Sequence, residues 1–147
     1  MTVAFRPGGR DDIGAVVALL ADDMLGQSRE VADLQPYLAA FQAMQDQGGN
    51  HLVVGVLDDR IVACYQLVIL PGLSAATRRA QIEGVRVASD LRGRGIGAQL
   101  VADAETRARN AGCGLIQLTT NRSRGDARRF YDRLGFTPSH IGYKKAI

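Results

Sequence analysis

Chemistry-bearing residues concentrate in Arg92-Gly93-Arg94-Gly95-Ile96-Gly97, where glycines alternate with two cations and an isoleucine just before a segment with helical apolar spacing. Backbone N–H groups in such a turn can point into one concavity. A helix N-terminus adds partial positive charge, and glycines leave no side chain in the way, so the turn suits a pyrophosphate. Arg122, Arg124, Arg128 and Arg129 lie further along, and with Arg92 and Arg94 they could serve an anionic ligand. The same spacing, with Ala98, also satisfies the glycine turn of a dinucleotide-binding unit. That unit wants an acidic residue about 20 residues on to hold a ribose. The next strand here ends Thr119-Thr120-Asn121, and a meander precedes the turn, so the dinucleotide reading carries little weight.

The turn must be held by the elements around it. Asp11-Asp12 can cap a helix with Ile13, Val16, Val17 and Leu20 at helical spacing, and Phe5 before it reads as an edge strand. Over 28–47 a second helical pattern carries Val31, Leu34, Leu38, Phe41 and Met44, with a break at Pro36 and a stop at Gly48-Gly49. It is expected to cover a cleft. Segments 51–57 and 61–70 are β-branched and apolar, joined by Asp58-Asp59-Arg60, which is hairpin chemistry. A strand over 80–87 leads into the Gly/Arg turn. In the following helix Ile96, Leu100, Ala104, Ala108 and Ala111 share one face, while Asp103, Arg107 and Arg109 are expected to look outward. Strands over 115–120 and 141–145 flank a helix that Asp126 can cap and Gly135 ends. With no internal repeat or linker, this order predicts one α/β domain over 1–147, a mixed sheet with helices on both faces.

Two separated motifs then resemble one family, the GCN5-related N-acetyltransferases (GNAT). Arg92 to Gly97 is similar to that family's Arg/Gln-x-x-Gly-x-Gly/Ala coenzyme A loop, and Phe130-Tyr131-Asp132-Arg133-Leu134-Gly135-Phe136 to its Tyr-x-x-x-Gly-Phe element. The resemblance covers essentially the whole chain. It implies a central, mostly antiparallel sheet that splays between the strands at 80–87 and 115–120, with the pantetheine of acetyl-coenzyme A in the gap. A glycine inside a strand often marks a bulge, and Gly84 would help to open the sheet there.

The resemblance also implies roles. Backbone N–H groups of Val85 and Val87 would hold the thioester and pantetheine, and Arg92, Gly93, Arg94, Gly95, Ile96 and Gly97 the pyrophosphate. Asn121 and Arg128 would make secondary contacts. An ammonium has no lone pair, so a carboxylate near the acceptor is a sensible base. Glu83 lies on the strand that would flank the thioester and resembles the glutamate of an Ile-Glu-Asp segment in glucosamine-6-phosphate acetyltransferases. It also alternates with Val85 and Val87, so a structural carboxylate is an equal alternative. Tyr131 matches the family tyrosine near the coenzyme sulfur, and a phenol of pKa about 10 can protonate the departing thiolate.

Composition narrows the rest. A formal charge of +3 is too small to argue for nucleic acid, no apolar run approaches a membrane span, and the first residues lack a signal sequence. A cytoplasmic location is expected, and the reading leaves room for a homodimer. Cys64 and Cys113 read as core thiols, and the isolated His51 and His140 give no metal site. The expected reaction is direct attack of a small-molecule primary amine on acetyl-coenzyme A in a ternary complex. Candidate acceptors are amino acids, aminophosphonates, amino sugars and polyamines. A run including Leu118-Thr119-Thr120-Asn121 and Arg129-Phe130-Tyr131 resembles aminoalkylphosphonate acetyltransferases, but Gln81 stands where those enzymes would have a glutamate. The alternatives are a non-catalytic acyl-coenzyme A sensor and an acetyltransferase acting on protein N-termini or lysines.

Overall fold

The β-branched run between residues 51 and 70 becomes the middle of a five-stranded sheet ordered β1-β2-β3-β4-β5. In the computed structural model, which describes residues 1–22, 30 and 33–147, the strands are β1 (Ala4–Pro7), β2 (Asn50–Leu57), β3 (Arg60–Pro71), β4 (Arg78–Val87) and β5 (Leu115–Gln117). The helices are α1 (Ile13–Ala21), α2 (Gln35–Gln47), α3 (Ile96–Asn110) and α4 (Gly125–Arg133). The helical pattern expected over 28–47 is realised in α2, and its beginning lies outside the described residues. Neighbouring strands pair antiparallel except β4 and β5, which run parallel. Asp58 and Asp59 turn β2 into β3 with φ of 48° and 61°. Both values are positive, as a two-residue hairpin matching the strand twist requires, and aspartate tolerates that conformation.

One face of the sheet is covered by α3, whose Ile96, Leu100, Val101, Ala104 and Ala108 are buried with Tyr65, Leu67 and Ile82. Asp103 and Arg107 do not look outward as their spacing suggested. Tyr65 donates its hydroxyl hydrogen to Asp103 Oδ2 at 2.5 Å, and Arg107 Nε donates to the same oxygen at 2.7 Å. A phenol buried beneath a helix needs a partner, and Asp103 on the side of α3 turned to the sheet supplies it. Burial first, and then Asp103, push the Tyr65 hydroxyl well above the ordinary tyrosine range. Arg109 does face solvent, beside Glu105. On the opposite face Val54 and Cys64 are equally buried, with α1 packed against β3 and β4.

The expected strand over 141–145 does not form. Residues 138–147 enter no ladder, and Ile141, Tyr143 and Ile147 stand exposed. A β-prone segment becomes a strand only where a neighbour supplies hydrogen bonds, and no ladder reaches these residues.

Candidate active site

Two strands that start as partners and then separate create the site. β4 and β5 pair at Arg79 with Leu115, Ala80 with Ile116 and Gln81 with Gln117, and no further. Beyond Gln81 no strand among the described residues lies beside the β5-facing edge of β4, as the family resemblance implied. Gly84 stands just past this point with φ of 60°, where the β3–β4 register shifts by one residue, so that Gly84 and Val85 together oppose Tyr65. This is a bulge, and the positive φ is the reason for glycine.

The bulge corrects the alternation of Glu83 with Val85 and Val87. Glu83 is opposite Gln66, whereas Val87 is opposite Ala63 and Arg86 opposite Cys64. Directly opposed residues share a face, so Val87 turns to the α3 side and Arg86 joins Glu83 on the other. Glu83 is exposed there, and its Oε1 accepts from Gln81 Nε2 at 2.8 Å. The Ala88 N–H donates to the Val62 carbonyl at 2.8 Å. Successive strand N–H groups alternate in direction, so the N–H of Val87 points away from β3 into the gap, where a cofactor chain could accept from it.

At the end of β4 the chain enters the Gly/Arg turn. Gly93 and Gly95 have φ of 76° and 80°, and a side chain added at either would meet open space. Glycine is thus required for conformation, and what it leaves clear lies outside the protein. The first intrahelical bond of α3 is donated by Gln99 to the Gly95 carbonyl at 3.2 Å. The N–H groups of Ile96, Gly97 and Ala98 therefore have no partner within the helix, which gives an N-terminus suited to an anion. Gly97 has a second reason to be glycine, because a Cβ there would lie 3.0 Å from Phe130 Cζ. Its bareness lets α4 approach the start of α3. Arg92 is exposed but folds back on the chain, with Nε donating to the Val87 carbonyl at 3.3 Å and a terminal nitrogen to the Asp22 carbonyl at 2.8 Å. Its guanidinium ties the turn to β4 and to the end of α1, and Arg94 is exposed as well.

Tyr131 arrives on α4, edge-on to Phe130 at 5.0 Å and to Phe136 at 5.6 Å between ring centroids. Burial raises its hydroxyl above the usual tyrosine range, while the charges of Arg86 and Arg124 pull the other way. The phenol consequently sits within the field of Arg86, which shares the face of Glu83. Asn121 Oδ1 accepts from the Ser123 N–H at 2.9 Å and from the Ser123 hydroxyl at 2.7 Å, fixing the turn before α4. Arg128 is exposed on α4 and Asp126 pairs with Arg129. Burial pushes the Cys64 thiol up to about 12, so it remains a thiol near neutral pH and directs its hydrogen to the Gly84 carbonyl. Among the described residues no cluster of three His, Cys, Asp or Glu is placed to hold a metal ion, and no helix is long and apolar enough to cross a membrane. A surface cavity of about 550 Å³ lies nearby, lined by Ala18, Asp22, Ala88, Ser89 and other residues that include neither Glu83 nor Tyr131.

Gln81, which sequence reasoning noted only as a departure from the aminoalkylphosphonate resemblance, and Arg86 and Gln117, which it left unassigned, join Glu83 on this face. For Arg86 the available signal was Gly84, since a bulge at that glycine shifts the phase of every later residue in the strand.

If the turn holds a pyrophosphate through its backbone, Gly95→Val should lower acetyl-coenzyme A affinity by at least about tenfold. A valine at φ of 80° is strained, and its branches would occupy the approach that is now open. Calorimetric titration measures this directly, and wild-type affinity in a folded Gly95→Val would remove the turn from the binding site.

Comparison with known proteins agrees with this geometry. The acetyltransferase (GNAT) family profile matches residues 17–136. Aminoalkylphosphonate N-acetyltransferase of Salmonella typhimurium is 32% identical over 142 residues, covering 97% of this chain and 90% of that one. A crystal structure described as a transcriptional regulator from Bacillus halodurans C-125 superposes with a TM-score of 0.94 at 42% identity, over 99% of this chain and 100% of the other. Glucosamine-6-phosphate N-acetyltransferase from Arabidopsis thaliana shares the fold, with a TM-score of 0.81 at 20% identity over 99% of each chain. Parted strands, a glycine turn at a helix N-terminus and a tyrosine on the last helix thus meet in a chain that belongs to the GNAT family of acyl-coenzyme A-dependent acetyltransferases.

Proposed function

We propose that this protein transfers the acetyl group of acetyl-coenzyme A to the primary amine of a small molecule by direct attack within a ternary complex. The observation that carries this reading is the parting of β4 from β5 after Gln81 and Gln117, with the exposed Glu83 carboxylate two residues beyond the last shared rung. In this reading the thioester lies along the free edge of β4, its carbonyl polarised by a backbone N–H of Val85 or Val87. Glu83 takes a proton from the attacking ammonium, directly or through water. The amine lone pair adds to the thioester carbon, the tetrahedral intermediate loses the second nitrogen proton to water and collapses, and the carbon–sulfur bond breaks. Tyr131 gives its proton to the departing sulfur. The buried Cys64 thiol offers no acyl-enzyme alternative.

Acceptor chemistry follows from the charges around the gap. Glu83 suits an ammonium, while Arg86 and Arg124, both acting on Tyr131, add positive charge to the same region. An amine carrying an anionic group fits that pairing, as the named substrate of the Salmonella relative does. Gln81, in place of a glutamate, keeps other acceptors open: amino acids, amino sugars and polyamines.

Thiol release from acetyl-coenzyme A measured against a panel of aminoalkylphosphonates, amino acids, amino sugars and polyamines tests the proposal. At least one acidic amine is expected to turn over with kcat above about 1 s⁻¹. Binding of acetyl-coenzyme A with no turnover on any small amine would favour a sensing role, and turnover on protein N-termini or lysines alone would replace the acceptor class.

A further inference from the structure

On the face of the sheet bearing Glu83, the amides of Gln81 and Gln117 form a chain that ends on the carboxylate. Gln117 Nε2 donates to Gln81 Oε1 at 3.0 Å, and Gln81 Nε2 donates to Glu83 Oε1 at 2.8 Å. Its direction is fixed by chemistry. An ionised carboxylate only accepts hydrogen bonds, so Gln81 must turn its NH₂ group toward Glu83. Its oxygen is then left facing Gln117, which must present an NH₂ in turn. Gln81 and Gln117 also form the last rung shared by β4 and β5, so the chain bridges the two strands where they begin to part. Gln66, opposite Glu83, donates instead to Asn50 Oδ1 at 3.3 Å, away from the carboxylate. Arg86 is the charged side chain that the register places on this face next to Glu83.

We infer that Gln81 and Gln117 are positioning residues for the acetyl transfer, a directed amide chain that pins Glu83 Oε1 and leaves Oε2 to face the acceptor amine. The inference rests on the reading of Glu83 as the base. An exposed glutamate on a strand samples several rotamers, and one charge-assisted hydrogen bond from a side chain that is itself held narrows that set before the acceptor arrives. The proton from the ammonium goes to Oε2, because Oε1 is already engaged by an N–H. The interstrand bridge also fixes the separation of the strands at the closed end of the gap, so the carboxylate keeps a constant offset from a thioester lying along β4.

The test is steady-state kinetics with acetyl-coenzyme A and the best amine of the panel. Gln81→Met keeps length and bulk and removes the amide, and it is expected to lower kcat by about 10-fold, with KM for acetyl-coenzyme A and the melting temperature unchanged. Gln117→Met should lower kcat by a smaller factor, about 3-fold, because it acts through Gln81. The double variant should match Gln81→Met alone. Introduced into Glu83→Gln, which has no base left to position, Gln81→Met should add nothing. Wild-type kcat in Gln81→Met, or an equal loss in the Glu83→Gln background, would overturn the inference. Full activity of Glu83→Gln alone would overturn the base assignment, and this inference with it. An impaired Glu83→Gln beside an unimpaired Gln81→Met removes only the amide chain.

Discussion

Replacing Tyr131 with phenylalanine is expected to lower turnover by roughly 10²–10⁴, the range for loss of a general acid, while the affinity for acetyl-coenzyme A changes little. The ring is edge-on to Phe130 and Phe136 and packed on the core, and phenylalanine keeps that packing. What is lost is one proton. An amine expelling a thiolate must otherwise wait for water to protonate the sulfur, and water is a poor substitute for a positioned acid. The direction of the Tyr131 shift adds a pH prediction. Burial disfavours the phenolate more than Arg86 and Arg124 favour it, so the hydroxyl stays protonated beyond the ordinary tyrosine pKa of about 10. The wild-type rate should therefore show no alkaline fall from loss of this acid below about pH 10. Stopped-flow or plate measurement of thiol release across pH, with calorimetry for the coenzyme, checks both parts. Unchanged turnover in Tyr131→Phe with a good amine would take the residue out of the mechanism.

Glu83→Gln is expected to lower kcat/KM by about 10²-fold or more at neutral pH, with the loss shrinking as pH approaches the pKa of the acceptor amine. Most small amines are protonated near neutrality, and removing that proton is the work assigned to Glu83. As pH rises, more acceptor arrives already neutral and the base matters less. The structure makes the substitution conservative, because the new amide oxygen can still accept from Gln81 Nε2 and the side chain is exposed. The melting temperature should thus stay within about 2 °C of wild type, in keeping with a surface change. A pH-independent loss accompanied by lower melting would instead make Glu83 a structural carboxylate and assign proton removal to water or another group.

The contrast between these two side chains shows how unevenly the sequence informs on the site. Tyr131 is announced by its local setting, Phe130 before it and Gly135-Phe136 after it, and Gly135 indeed takes the positive φ, 89°, that ends the helix. Glu83 is only a carboxylate within a strand, and beside it Gly84 alone hints that the sheet opens there.

What the residues determined by themselves is everything encoded over a few positions. The Gly93–Gly95 conformation, the Asp58-Asp59 hairpin and the helix over Ile96–Asn110 each follow from the allowed φ/ψ values or the apolar period of the residues involved. Tertiary structure decided the contacts between distant segments. Tyr65 with Asp103, Arg92 with Asp22 and Gln117 with Gln81 join positions 38, 70 and 36 residues apart. It also left the strand expected over 141–145 unformed, because a neighbouring ladder was needed and residues 138–147 enter none. The physical reason is that strand side chains alternate with a period of two, so a single extra residue at Gly84 exchanges the faces of Val87 and Arg86. Such a phase change is invisible to local pattern until the partner strand fixes the register, and it is the register that sets Arg86 beside Glu83 and Gln81 across from Gln117.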